Sequence, residues 1–229
     1  MRRIATVAAL ALLAVGGLSA CRVETGAAVF VADSRVGEDR VDAIVDSAPD
    51  ALTINGRPAE VKDLRQQVVE WLTIVDLAQR VSADTGRPLP GPDFAAAAAK
   101  IGADSDNAFA RLLAQGPAYK AFLFEGVEEM QASPEMVEGL VADYKAANGD
   151  AQLPADFGAQ VLAAINEPTS GAPLRVALAQ RNRADELFEQ YDVLTNPRYG
   201  QLAIKFASIP VADGTAVMIE APIPTSTTP

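Results

Sequence analysis

Apolar positions along this chain recur with a helical period through most of its length and with a strand period only near its ends. From Pro58 to about residue 83, Val61, Leu64, Val68, Trp71, Val75 and Ala78 recur at spacings of three and four, with Val69 and Leu72 widening the stripe. This predicts the longest helix. Asn55-Gly56 marks a turn before it, Pro58 suits a first helical position, and Gly86 and Pro88 stop it. Thr85 to Pro92 packs three Pro and two Gly into eight residues and reads as a loop or rigid elbow. Asp93 can cap the Ala-rich turn Phe94 to Lys100. Helical patterning returns at Asp106 with Phe109, Leu112 and Leu113, and Asp104, Ser105 or Asp106 is the expected cap. The pattern breaks at Gly116-Pro117 and restarts through Tyr119, Phe122, Leu123, Val127 and Met130.

Ser133-Pro134-Glu135 joins a hydroxyl cap, a Pro and a first-turn acid, so it opens a helix. That helix carries Met136, Val137, Leu140, Val141 and Tyr144 and ends at Asn148-Gly149. Asp156 to Asn166 places Phe157, Val161, Leu162 and Ile165 at helical spacing. A last helix, Pro173 to about Val193, puts Leu174, Leu178, Leu187, Phe188 and Tyr191 on one face. Arg175, Arg181, Arg183, Asp185, Glu186 and Glu189 lie on the other, expected to be solvated. Ala27 to Val31 is a short strand, and Val36 to Asp46 a short helix. Leu202, Ile204, Phe206 and Ser208 alternate about Lys205 as a half-buried strand does. Residues 210–229, above all the Pro/Thr-rich stretch from Ala221 to Pro229, read as a disordered tail. The expectation is one mainly α domain over 29–209, whose N-terminal and C-terminal strands could pair.

Before this body, Arg2 and Arg3 precede an apolar run from Ile4 to Val15, too short to span a bilayer, and then Leu18-Ser19-Ala20-Cys21. The order is that of a secretory signal over 1–20, and its end resembles the bacterial lipobox. That resemblance implies diacylglycerol on the Cys21 thiol and cleavage before it. Cys21 would then be a mature N-terminus on a tether over 21–28, holding the protein at the extracytoplasmic face of the cell membrane. The alternative is a conventional signal peptide and an incidental free thiol.

Charge and composition narrow the chemistry. The 229 residues hold one Cys and no His, which excludes Ser-His-Asp and Cys-His nucleophiles, His-ligated zinc and a C-x-x-C redox pair. No cofactor or metal is expected. Asp104-x-Asp106 begins like a calcium loop, but Ala108, Ala110 and Leu112 stand where oxygen ligands are needed. Carboxylate pairs such as Glu128-Glu129 and Glu135-Glu138 read as solvated helix surface rather than glycosidase machinery. The net charge of −11 argues against nucleic acid. Loss of residues 1–20 removes Arg2 and Arg3 and leaves −13, so acyl chains rather than surface charge would hold the body to anionic lipid.

The first strand, the long helix, the Ser133-Pro134-Glu135 helix with Asp143-Tyr144-Lys145, the Phe157 helix and Asn196-Pro197-Arg198-Tyr199-Gly200 before a strand together resemble the chaperone part of SurA-like proteins. More narrowly, they are similar to the lipobox-bearing version of high-GC Gram-positive bacteria. The resemblance covers about 29–209 and implies a helical cradle similar to the peptide-binding part of trigger factor. Two departures stand out. The mature chain has no room for a parvulin domain and no His for its site, so no isomerase activity is expected. Gln201-Leu202 stands where relatives often place a Trp-Asp pair.

A chaperone needs exposed apolar surface. Trp71, Phe122, Phe124, Met130, Met136, Tyr144 and Phe157 are the candidates to line a peptide-binding groove, with a place in the core as the alternative for each. Phe124, off the stripe of its own helix, is the one expected to be most exposed. Two functions follow as expectations. One is a membrane-anchored holdase, not an enzyme, that binds unfolded secreted polypeptides. The other is a scaffolding lipoprotein on a degenerate SurA-like fold that binds one envelope partner.

Overall fold

The computed structural model describes residues 26–50, 52–54, 57–148, 153–210 and 216–226. The expected signal peptide, Cys21, the expected Asn55-Gly56 turn and Gly149 lie outside the described residues.

Strands β1 (Ala27–Val31) and β2 (Ser34–Gly37) form a hairpin, which leads directly into α1 (Glu38–Asp46). Ala27 and Ala28 belong to β1, so the expected tether ends earlier than residue 28. Val36 belongs to β2, and α1 starts at Glu38 rather than at Val36. The two-residue strands β3 (Thr53–Ile54) and β4 (Arg57–Pro58) pair with each other, and α2 (Val61–Thr85) follows. Pro58 is therefore used in a strand and does not open the helix.

The α2 stripe is apolar all round in its middle: every residue from Leu72 to Ala78 is buried, Thr73 and Asp76 included. A helix of that kind sits inside a domain rather than on it. Its two polar members are satisfied locally. Thr73 Oγ1 donates to the Val69 carbonyl at 2.8 Å, and Ser34 donates to Asp76 at 3.0 Å. Val61, the first member of the predicted stripe, is 62% exposed. Gly86 ends the helix at φ 70°, a left-handed value natural to glycine. Residues 86–93 form the expected elbow, and Asp93 accepts from the Ala96 N–H to cap α3 (Phe94–Ile101).

Next comes α4 (Ala108–Leu123), capped by Asn107 rather than by Asp104, Ser105 or Asp106. It runs unbroken through Gly116 and Pro117, against the expected break, and it ends at Leu123, short of Val127 and Met130. The physical reason is packing: Gly116 lies against the Trp71 indole, where a β-carbon would come within 2.1 Å of the ring. Contact with α2 holds a helix that local propensity would interrupt.

Three further helices, α5 (Pro134–Asn148), α6 (Phe157–Asn166) and α7 (Ala172–Gln190), match the predicted segments closely. Ser133 Oγ accepts from the Met136 N–H at 3.3 Å, as its sequence position implies. Two arginines of the face expected to be solvated turn inward instead. Arg175 is 6% exposed; its guanidinium takes the Ile165 and Glu167 carbonyls, which end α6, and the Glu129 carboxylate at 3.1 Å. Arg181 reaches Asp143 of α5 at 2.6 Å.

The C-terminal expectation needs the largest correction. Strand β5 (Leu194–Thr195) pairs with β1, giving a sheet of order β2-β1-β5. The strand predicted about Lys205 exists as β6 (Ala203–Pro210), but its partner is β7 (Ala216–Pro222) and not β1. Residues expected in a disordered tail thus form a strand in which Val217, Ile219 and Ala221 are buried and alternate with Met218 and Glu220. Beyond it Ile223 donates to Leu202 O, and Thr195 N–H donates to Pro224 O at 2.8 Å. Of the Pro and Thr residues that suggested disorder, Pro222, Pro224 and Thr225 lie along this edge.

Two apolar cores result. The first gathers α1, α2, α4 and β1; the second gathers α5, α6 and the outer end of the β6–β7 hairpin. Helix α7 and the hairpin serve both. Leu187 and Phe188 lie in the first core and Ala177 and Leu178 in the second; Ile204 and Ala221 lie in the first and Ile209, Val217 and Ile219 in the second.

Candidate functional site

The pattern on α5 places apolar residues at 136, 137, 140, 141 and 144, a stripe too wide for one contact. Leu140 and Val137 pack inward beside α6 and β7, while Val141 stays half-buried at the surface. Pro134, Val137, Glu138, Val141, Ala142 and Lys145 form one wall of a groove, at spacings of three and four along α5. Gly158, Ala159 and Leu162 of α6 form the other wall, and the cavity between them is about 500 Å³. A β-carbon at Gly158 would stand 3.8 Å from Val137 Cγ1, an ordinary van der Waals contact, so a methyl group would fit beside Val137 at this wall. Only Glu138 and Lys145 bring charge to the walls, and by helical rise they stand about 10 Å apart on the rim.

The seven predicted groove residues are not brought together there. Phe122 and Phe124 are buried in the first core and Phe157 in the second. Phe124, expected to be the most exposed, is 5% exposed because Phe206 of β6 meets its ring edge-on at 4.9 Å between centroids. Trp71 is partly buried against the first core. Met130, Met136 and Tyr144 are partly buried against the second, where Tyr144 and Phe157 stack at 5.7 Å. These side chains support the groove from behind or lie in the other core. Sequence reasoning missed Val141, Ala142, Ala159 and Leu162 as wall residues, and the excess width of the α5 stripe is the signal that could have found Val141.

Asn196-Pro197-Arg198-Tyr199-Gly200 folds as a 3₁₀ turn that ties the segment after β5 to β1 and α1. Asn196 donates from its backbone to Ala28 O and from its side chain to Ala27 O, both at 3.0 Å, while its side-chain oxygen Oδ1 accepts from Arg198 N–H. Tyr199 donates its hydroxyl proton to Glu38 at 2.5 Å, and Gln66 donates to the Tyr199 carbonyl at 2.6 Å. Arg198 and Arg65 pair with the same Glu38 carboxylate. A cavity of about 590 Å³ opens here, and on its wall Glu38, Asp42, Arg65 and Arg198 pair with one another. The motif therefore holds the fold together.

A band of charge lies between the two cores. Glu70 of α2 faces Lys120 of α4, Lys205 of β6 and Glu220 of β7. Burial pushes the Glu70 carboxyl up to about 7, outweighing the pull of both lysines, and burial likewise lowers the Lys120 ammonium. Burial also raises Glu220 and Asp185, which share Arg181 and Asp143 as neighbours. Among the described residues no group of three acidic side chains is disposed to hold a metal ion, and no helix is long and apolar enough to cross a membrane. Comparison with protein families, curated proteins and solved structures finds no match for this chain in any of the three.

Proposed function

We propose that this chain is a lipid-anchored extracytoplasmic binding protein on a SurA-like fold, which takes a short apolar stretch of another polypeptide into the α5–α6 groove. The groove carries the reading. Its walls are mostly apolar and built on two helices, and a cavity of about 500 Å³ between them supports the docking of one short segment. The lack of His in the sequence supports binding without isomerisation. The lipobox-like Leu18-Ser19-Ala20-Cys21 supports anchorage through diacylglycerol on Cys21, with unfolded or secreted chains as the partners within reach.

A holdase acting on many clients and a scaffold for one partner both fit this site. Burial of Phe122, Phe124 and Phe157 favours the scaffold, because it removes the broad aromatic surface that indiscriminate capture would use. Residues 22–229, tested for suppression of aggregation of several unrelated unfolded proteins, separate the two. A holdase suppresses all of them, and Leu162→Glu in the groove abolishes the effect; a scaffold suppresses none and is crosslinked to a single envelope protein through residue 141 or 162. Failure to obtain either result, together with an unoccupied groove in cells, overturns the proposal. For the anchor, Cys21→Ala is expected to release the protein from membranes. Retention of that variant in a carbonate-washed pellet would contradict it.

A further inference from the structure

Helix α6 carries no charged residue along its whole length, and on its groove side Ala159 and Ala163 are exposed with Leu162 half-buried beside them. A helix face of this kind is normally covered. The α5 wall beside it does carry charge, and the charge is set symmetrically about an apolar centre. Glu138 stands three residues before Val141, and Lys145 three residues after Ala142. Both charged side chains are exposed, and neither has a hydrogen-bond or ion-pair partner among the described residues.

Such a helix is complementary to itself. When two copies of α5 lie antiparallel and cross at Val141-Ala142, Glu138 of one copy meets Lys145 of the other, and two-fold symmetry makes the same pair again on the far side. Parallel pairing would instead set Glu138 against Glu138. The walls also favour a helix over an extended chain as the occupant. Both are helices whose backbone groups are bonded within themselves, so the groove offers no ladder to an incoming strand, whereas a helix arrives with its own backbone satisfied.

We propose that a second copy of this chain closes the α5–α6 groove: the two α5 helices pair antiparallel about a two-fold axis at Val141-Ala142, each lying in the groove of the other. Four helices, α5 and α6 of each copy, then close around the apolar walls. The pairing rests on the groove being a binding site and gives that site a resting occupant. Self-pairing and entry of a client segment exclude each other. By helical rise, residue 142 of one copy stands within about 2 Å of its equivalent along the helix direction, while the two residues 135 are about 20 Å apart along it.

Cysteines at these positions in the full-length protein test the register in cells, with the unaltered chain, whose one Cys is Cys21, as the control. Ala142→Cys is expected to give a disulfide-linked dimer under mild oxidation, and Glu135→Cys about tenfold less of it. Both positions are exposed, so the fold tolerates either change. Within Ala142→Cys, Glu138→Lys or Lys145→Glu turns both cross-axis pairs into repulsions and is expected to lower the dimer about tenfold. Co-expression of the two reversed chains is expected to restore it, as a heterodimer in which opposite charges face again. Equal yields at 135 and 142, indifference to the charge reversals, or capture of another protein at 142 in place of a second copy overturns the pairing. No dimer at 142, with residue 162 crosslinked to another protein, overturns the pairing and leaves the groove as a binding site; no crosslink from either position overturns both.

Discussion

Gly116 lies flat against the indole of Trp71: a β-carbon at 116 would stand 2.1 Å from Trp71 Cε3 and 2.4 Å from Cδ2. Neither helix can yield easily, because Trp71 sits on the central helix and Gly116 is followed by Pro117. Gly116→Ala is therefore expected to overpack the contact and cost about 1–3 kcal/mol, although alanine is the better helix former. Urea denaturation with a lowered midpoint and unchanged slope would show it. An unchanged midpoint would mean that α2 and α4 do not pack at this distance.

Tyr199 and Glu38 join segments 161 residues apart. Tyr199→Phe keeps the buried ring and removes only the hydroxyl that Glu38 accepts, so a loss of about 1.5–3 kcal/mol is expected for a bond to a charged group. Asn196→Ala removes the side-chain bond to Ala27 O in β1 and the turn cap on Arg198 N–H, while the backbone bond to Ala28 O remains, and is expected to cost about as much. The two losses are not additive, since both residues hold the same turn. A double variant equal to the sum of the singles would argue against one clasp.

Elements written in local signals were legible along the chain. Gly86 at φ 70°, the Asp93 and Ser133 caps, and the limits of α5, α6 and α7 all follow from residues within one turn of the boundary. What distant residues decide was not. Phe124 is covered by Phe206, Pro117 is held in a helix by Trp71, and Val217, Ile219 and Ala221 become a strand only because β6 lies beside them. The alternation in β7 was present but masked by the Pro and Thr that follow it. The groove was half visible, since Val137, Val141 and Leu162 stood out as apolar while the small residues that open the cleft carry no signal of their own.

Arg175 carries one buried cation among three acceptors from two elements: the Ile165 and Glu167 carbonyls and the Glu129 carboxylate. Arg175→Met keeps the length of the side chain but leaves the end of α6 without donors, so a loss of about 2–4 kcal/mol is expected from the unsatisfied carbonyls. Glu129→Gln is expected to cost less, because Glu129 is 51% exposed and water replaces it. Thermal unfolding of the two variants would rank them. A larger loss for Glu129→Gln would contradict the assignment of the carbonyls as the main partners.

Ala32 turns the β1–β2 hairpin at φ 53°, the left-handed region that L side chains occupy at a cost. Its N–H donates to the Tyr191 carbonyl at 2.6 Å, so the backbone is held there by a contact beyond the turn. Ala32→Gly is expected to relieve about 1 kcal/mol of that cost, offset in part by the greater freedom of glycine in the unfolded chain. A raised urea midpoint is the expected result, and a lowered one would mean that unfolded-chain entropy outweighs the strain.

Glu70 also fixes the sign of a stability profile. Burial raises its carboxyl from 4.5 to about 7, so the folded chain binds a proton that the unfolded chain releases. Stability from this group is complete below about pH 4.5 and is lost as the pH rises to about 7, above which the loss is constant. Asp76, Asp185 and Glu220 are also raised by burial and act in the same direction, so Glu70 is recognised by subtraction. The difference in unfolding free energy between Glu70→Gln and the unaltered protein is expected to grow in favour of the variant from pH 5 to pH 7.5 and then level. A difference that is flat across that range, or that falls with pH, would mean the two lysines rather than burial govern Glu70.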